Sequence, residues 1–189
     1  MKFKDQEYYI ELYKKNPKYG SDKITKSINE VIEIINTFNI KSLFDYGCGL
    51  NQTLIKEILK NIKDIECVGY DFAILDEQCT ANLINKIPIQ REFDLIVSTD
   101  CFEHIYEDEL EFVFESIKNL NPKVMYFVIC NRKAGQILSD GTNAHKTVKN
   151  EEWWKDKLQN YFLNYKIYSS NCINNKQTIS LIKNILCPA

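Results

Sequence analysis

The 189-residue chain contains two histidines, His104 and His145, and both stand in company that could do chemistry. Asp100-Cys101-Phe102-Glu103-His104 packs two carboxylates and an imidazole into one short run, and His145 closes the polar stretch Ser139-Asp140-Gly141-Thr142-Asn143-Ala144-His145. An imidazole near neutral pH either moves a proton or binds a metal. Imidazole with carboxylate suits Mn, Fe, Co, Ni or Zn, and carboxylates with water also suit Mg. Two readings are open at this point. In one, Asp100, Glu103, His104 and His145 together hold a divalent cation such as Mn, Mg or Co. In the other no metal is present, and His104 or His145 serves as a general base.

A second constellation is Asp45-Tyr46-Gly47-Cys48-Gly49-Leu50-Asn51. Glycines at a turn let the backbone approach a ligand closely, and Asp45 just before them could meet a ligand's ammonium. Asp71 follows Gly49 by 22 residues, where an acid suits a pair of ribose hydroxyls. The turn lacks the spacing of the pyrophosphate fingerprint, which makes a NAD dehydrogenase a poor second. Arg132 and Lys133 could meet a substrate phosphate, and solvated loop charge explains them equally.

These residues need elements to position them, and the apolar pattern supplies an alternation. Residues 4–15 read as a short helix, broken by Asn16-Pro17-Lys18-Tyr19-Gly20. Ser21 or Asp22 can cap a longer helix to about Phe38, with Ile24, Ile28, Val31, Ile32 and Ile35 on one face. Strands are expected at Ser42–Tyr46, Glu66–Asp71, Ile87–Ile89, Phe93–Thr99 and Val124–Cys130. Helices are expected over about 54–62, 107–120 and, capped by Asn150, 151–161. A terminal hairpin, Tyr165–Ser170 and Thr178–Ile182, turns at Asn174-Asn175-Lys176. Strands alternating with helices imply a parallel sheet covered on both faces, with the hairpin adding an antiparallel strand. Both histidines then fall on loops at the carboxyl edge of the sheet, where open α/β folds bind ligands.

In these motifs the sequence resembles the class I S-adenosylmethionine-dependent methyltransferases. Asp45, Gly47 and Gly49 match that family's first loop, and Asn51 replaces its third glycine. The resemblance covers about residues 40–185. It implies an α/β fold with a Rossmann-like, doubly wound, seven-stranded sheet, mostly parallel with an antiparallel last strand. It implies one domain, 1–189, with a helical cap (1–40) on a core (41–189). Under it S-adenosyl-L-methionine is the cofactor. Gly47 and Gly49 pack on its methionine part, Asp71 holds its ribose, and Cys48, Phe72 and Asp100 join the pocket. Tyr19-Gly20 folds over the pocket or is a plain turn, and Phe102 is a wall of the site or simply core. The acid-x-x-Glu-His run with a later His resembles the metal-binding small-RNA 3′-terminal 2′-O-methyltransferases. Asp-Gly-x-Asn-Ala-His before Trp153-Trp154 resembles methyltransferases of bacterial surface-polysaccharide gene clusters.

The reading that follows is O-methylation of a small sugar- or phosphate-bearing metabolite, with capsule biosynthesis as one setting. The alternatives are N-methylation or a non-catalytic nucleotide-binding module. A formal net charge of -2 argues against a long nucleic acid as partner, because such binding needs a basic surface. No apolar run approaches the ~20 residues of a membrane span. Seven cysteines without a CxxC pair fit a reducing cytoplasm.

Overall fold

A computed structural model describes residues 3–19, 25–88 and 90–184. The elements are α1 (Gln6–Lys15), α2 (Thr25–Phe38), β1 (Ser42–Tyr46), α3 (Thr53–Asn61), β2 (Glu66–Tyr70), β3 (Leu83–Ile84), β4 (Leu95–Thr99), α4 (Leu110–Asn119), β5 (Val124–Cys130), α5 (Glu151–Tyr161), β6 (Tyr165–Ile173) and β7 (Lys176–Lys183). The seven strands form one sheet in the order β3-β2-β1-β4-β5-β7-β6. The pairs from β3 to β5 are parallel, and β7 is antiparallel to both β5 and β6.

Alternation along the strands divides the core. Leu43 of β1 and Leu95 and Val97 of β4 join Val31 and Ile35 of α2 and Leu54, Ile55 and Ile58 of α3. Phe44 and Ile96 point the other way, to Leu110, Val113 and Phe114 of α4 and Trp154 and Leu158 of α5. A parallel sheet buried on both faces needs continuous apolar strands, and β5 supplies one in Val124–Cys130, buried at every position. Of the two tryptophans, Trp154 is core, while Trp153 is half-buried beneath Lys149 of the preceding loop.

The hairpin turn is built by Asn174 (φ 52°) and Asn175 (φ 61°), the left-handed pair that a two-residue turn requires and that Asn tolerates. Ser21, Asp22 and Ile24, expected to begin α2, lie outside the described residues, as does Ile89. The third strand falls earlier than expected. Leu83–Ile84 pairs with Gly69 and Tyr70, and Ile87-Pro88 carries no strand. Pro88 offers no N–H to a ladder. The β4 strand begins at Leu95 rather than Phe93, whose N–H is held by the Leu120 carbonyl at 3.1 Å.

Strand order reverses between β1 and β4, so the loops leaving their carboxyl ends diverge and open a crevice. The glycine turn follows β1 and the Asp100–His104 run follows β4. The first turn of α5 is fixed by its cap, Asn150, whose Oδ1 accepts from the Trp153 N–H at 2.9 Å. Asn150→Ala should cost about 1 kcal/mol and lower the thermal midpoint by about 2–4 °C, read by a circular-dichroism melt.

Candidate functional site

The turn after β1 is shaped by one acceptor. The Tyr70 carbonyl takes the N–H groups of Gly47 (2.8 Å) and Cys48 (3.1 Å). This folds the chain over the end of β2, and Gly47 adopts φ +82°. A Cβ there would lie 2.3 Å from Cys101 Sγ, so glycine is required both by conformation and by the close approach of the loop after β4.

The pocket beside this turn is lined by Asp45, Gly47, Cys48, Gly49 and Asp71 with Phe72, Asp100, Cys101 and His104. Tyr9, Tyr13 and Tyr19 cover it from the N-terminal segment. Gly20 lies outside the described residues. Phe102 is not on the wall: it is buried against Phe114 and Phe127 in the core. The short 3-10 turn Phe102–His104 directs its ring inward.

The two acids of the pocket differ. Asp71 is buried and accepts three hydrogen bonds. Its Oδ1 accepts from Ala73 N (2.9 Å), and its Oδ2 accepts from Gly49 N (3.1 Å) and the Tyr13 hydroxyl (2.9 Å). Asp45 is buried with Oδ1 lacking any hydrogen bond. Burial, and secondarily the charge of Asp71, pushes its carboxyl up to about 7.

The histidines converge as the loop after β5 folds back on the loop after β4. The Glu103 carbonyl accepts from Lys146 N (2.7 Å) and Thr147 N (3.1 Å), and Thr147 Oγ1 donates to the Ile105 carbonyl at 2.7 Å. The imidazoles of His104 and His145 stand edge to face, 4.7 Å between centroids. His145 Nδ1 lies 2.5 Å from the Arg132 carbonyl. A carbonyl only accepts, so the proton sits on Nδ1 and the Nε2 lone pair faces Glu103 Oε1 at 4.0 Å. His104 Nδ1 likewise lies 3.1 Å from the Ala144 carbonyl and 2.8 Å from the Tyr9 hydroxyl. Burial holds the His145 pKa below its ordinary value.

Glu103 is wholly buried (0% exposed), and neither carboxylate oxygen has a hydrogen-bond partner. Burial first, then the charge of Asp100, raises its carboxyl to about 8. Among the described residues Glu103, His145 and Cys130 bring potential ligand atoms within 4.8 Å of one another. This set differs from the four residues expected from sequence. Asp100 takes a left-handed φ of 50° and pairs with Lys176 Nζ at 2.5 Å, which turns it away from a helical register with His104. Cys130 was missed. It carries no motif, and only its place at the carboxyl end of β5, beside the histidine loop, brings it there.

No protein-family model matches the chain, and no curated protein matches it in sequence. Solved structures do match in fold. A Burkholderia thailandensis 1,6-didemethyltoxoflavin-N1-methyltransferase, solved with its acceptor and S-adenosylhomocysteine, superposes with a TM-score of 0.68 at 11% identity, covering 94% of this chain and 86% of that one. A Clostridium acetobutylicum S-adenosylmethionine-dependent methyltransferase gives 0.61 at 16%, covering 93% and 97%. The methyltransferase domain of bacterial CtHen1 gives 0.60 at 17%, covering 82% and 97%. The fold is the Rossmann-like methyltransferase fold, with its seven-stranded, mostly parallel sheet.

The Asp45 geometry fixes a pH dependence. The folded carboxyl titrates near 7 and an ordinary one at 3.8, so the folded state holds the proton more tightly than the unfolded chain. This contribution is fully present below about 4 and is lost as pH rises to about 7, at a slope on the order of 1 kcal/mol per pH unit. Asp45→Asn should flatten that part of the stability profile, measured by urea unfolding at successive pH values.

Proposed function

We propose that this chain is an S-adenosylmethionine-dependent methyltransferase acting on a hydroxyl of a small sugar- or phosphate-bearing metabolite. The observation that carries the reading is convergence. A glycine turn, two buried acids and His104 line the crevice of a methyltransferase fold, and His145 packs against His104. The donor set suits the cofactor. Asp45 has an unpaired oxygen for an ammonium, Asp71 can accept from ribose hydroxyls, and Gly47 and Gly49 line the same pocket with no side chain to fill it. Cys48 and Phe72 flank these groups, with Tyr19 at the mouth. When bound, the cofactor would supply an electrophilic methyl on a sulfonium sulfur, with the neutral thioether as leaving group.

The chain's part is to align, to dehydrate and to take a proton. His145 carries its ring proton on Nδ1, held by the Arg132 carbonyl, so its Nε2 is the basic atom. His104 Nδ1 meets both the Ala144 carbonyl and the Tyr9 hydroxyl. An acceptor hydroxyl is a weak nucleophile until its proton has somewhere to go. Loop 131–149 shields this edge and is pinned by the buried Leu138, Ala144 and Thr147.

A divalent cation is the second component of the proposal. The buried, unpartnered Glu103 carboxylate and the His145 Nε2 lone pair aimed at it are the donors such an ion needs, with Cys130 in reach. The His145 Nδ1 bond to a backbone carbonyl is the outer support that metal-bound imidazoles show. Asp100 and His104 complete the site only if the Lys176 and Tyr9 contacts give way. When bound, the ion supplies a Lewis acid that favours the alkoxide.

The choice of acceptor rests on the net charge of -2 and on Arg132 and Lys133 beyond β5. The former disfavours a long nucleic acid, and the latter are exposed cations that a phosphate could meet. A role in surface-polysaccharide synthesis and a cytoplasmic setting belong to the same proposal. The described cysteines are all free, and no described helix is long and apolar enough to cross a membrane.

Calorimetry should show saturable binding of S-adenosylhomocysteine, weakened at least about tenfold by Asp71→Ala through loss of charge-assisted hydrogen bonds. Heat on titrating NAD, with none from S-adenosylhomocysteine, would sink the assignment. Chelation should abolish activity, and Mn, Co or Mg should restore it. Glu103→Ala and His145→Ala should each lower metal content by elemental analysis. Full activity in metal-free protein leaves the histidine-base mechanism.

A further inference from the structure

The pocket that would hold the cofactor has a volume of about 100 Å³, whereas sites for cofactor-sized ligands enclose about 300–1,000 Å³. The missing space is taken by α1. Tyr13 is buried, and its hydroxyl donates to Asp71 Oδ2 at 2.9 Å. The same oxygen atom lies 3.7 Å from where a Cβ of Gly49 would stand, over the glycine turn. A phenolic hydroxyl on this carboxylate makes the bond that a ribose hydroxyl would make.

We propose that α1 is a plug supplied by the chain itself, with Tyr13 standing in for the cofactor's ribose at Asp71. The proposal rests on the cofactor reading above. Tyr13 and an S-adenosyl ligand compete for one acceptor atom, so binding requires Tyr13 to leave.

The plug is also fastened to the histidine side. Tyr9, one helical turn from Tyr13, meets His104 Nδ1 at 2.8 Å. Tyr8 accepts from Gln136 Nε2 of loop 131–149 at 2.6 Å. Asp5, just before α1, pairs with Lys146 of the same loop at 3.2 Å, and Gln6 Nε2 donates to the Phe72 carbonyl at 2.5 Å. Withdrawing α1 therefore breaks contacts to His104 and to the loop. Cofactor entry frees the acceptor side in the same motion, a coupling that operates through differential contacts in the closed and open states. Nothing in this requires new chemistry. One hydrogen bond to a buried carboxylate is exchanged for another.

The test is calorimetric titration of S-adenosylhomocysteine into the full chain as wild type, Tyr13→Phe, Tyr13→Ala and Asp71→Ala, with thermal melts to verify folding. Hydrogen exchange of α1 is followed with and without the ligand. Tyr13→Phe keeps the ring and deletes the competing hydroxyl. It should tighten binding about three- to tenfold, the worth of one hydrogen bond. Exchange in α1 should quicken when the wild type is saturated. Unchanged or weaker binding by a folded Tyr13→Phe, or α1 exchange unaffected by saturation, overturns the plug and leaves the cofactor reading standing. Binding by Tyr13→Ala but not by wild type supports the plug in its strongest form. No binding by wild type, Tyr13→Phe and Tyr13→Ala alike overturns the cofactor reading and the plug together.

Discussion

The site depends on one backbone acceptor. The Glu103 carbonyl receives the N–H groups of both Lys146 and Thr147, and this joins the loop after β5 to the loop after β4. It holds the two histidine-bearing loops together, with the Thr147 hydroxyl on the Ile105 carbonyl beside it. With it, His145 is set beside His104 and its Nε2 is turned to the Glu103 side chain. The same closure seals that side chain from water. A carboxylate so deeply buried is costly to ionise. It must either hold its proton or be balanced by a cation, and every chemical option at this edge follows from that choice.

A comparable tension exists across the glycine turn. Asp45 and Asp71 are both buried, and each disfavours the other's charge, yet only Asp71 is given donors. At the same turn, Cys101 occupies the space that a side chain on Gly47 would need. The loop after β4 can thus press against the loop after β1, which is why the glycine pocket and the histidine cluster share one rim. Asp100 reaches that rim in a left-handed conformation, held by Lys176 from the hairpin. The last two strands therefore do more than extend the sheet, because they neutralise an acid of the crevice.

The strands β1, β4 and β5 and the helix after Asn150 were readable because continuous apolar runs and a cap residue announce themselves in sequence. The short strand β3 was not, since two residues paired to the end of β2 have no periodicity to detect. Asp45, Gly47, Gly49 and Asp71 were readable as a cluster because strand ends and turns place them in a fixed relation. The contacts that redirect the acidic residues were not. The Lys176 partner of Asp100 and the approach of Cys130 to Glu103 join positions far apart in sequence, and pairing of that kind is set by topology. Phe102, open in sequence between a wall of the site and the core, falls in the core. A residue between two candidate ligands looks functional, but a single 3-10 turn sends its ring into the core.

The N-terminal helix shows how position on an element can couple distant groups. Tyr9 and Tyr13 are four residues apart and share a face. One meets His104 and the other Asp71, although these belong to different loops of the sheet. Tyr8, turned to the side, adds Gln136 of the loop after β5. Withdrawal of the helix as a unit would carry all three hydroxyls away from their partners. Its short length and mean polar character give it little intrinsic stability as an isolated helix. It holds its place through the contacts it makes with the site, and its position is therefore sensitive to whatever else competes for those acceptors.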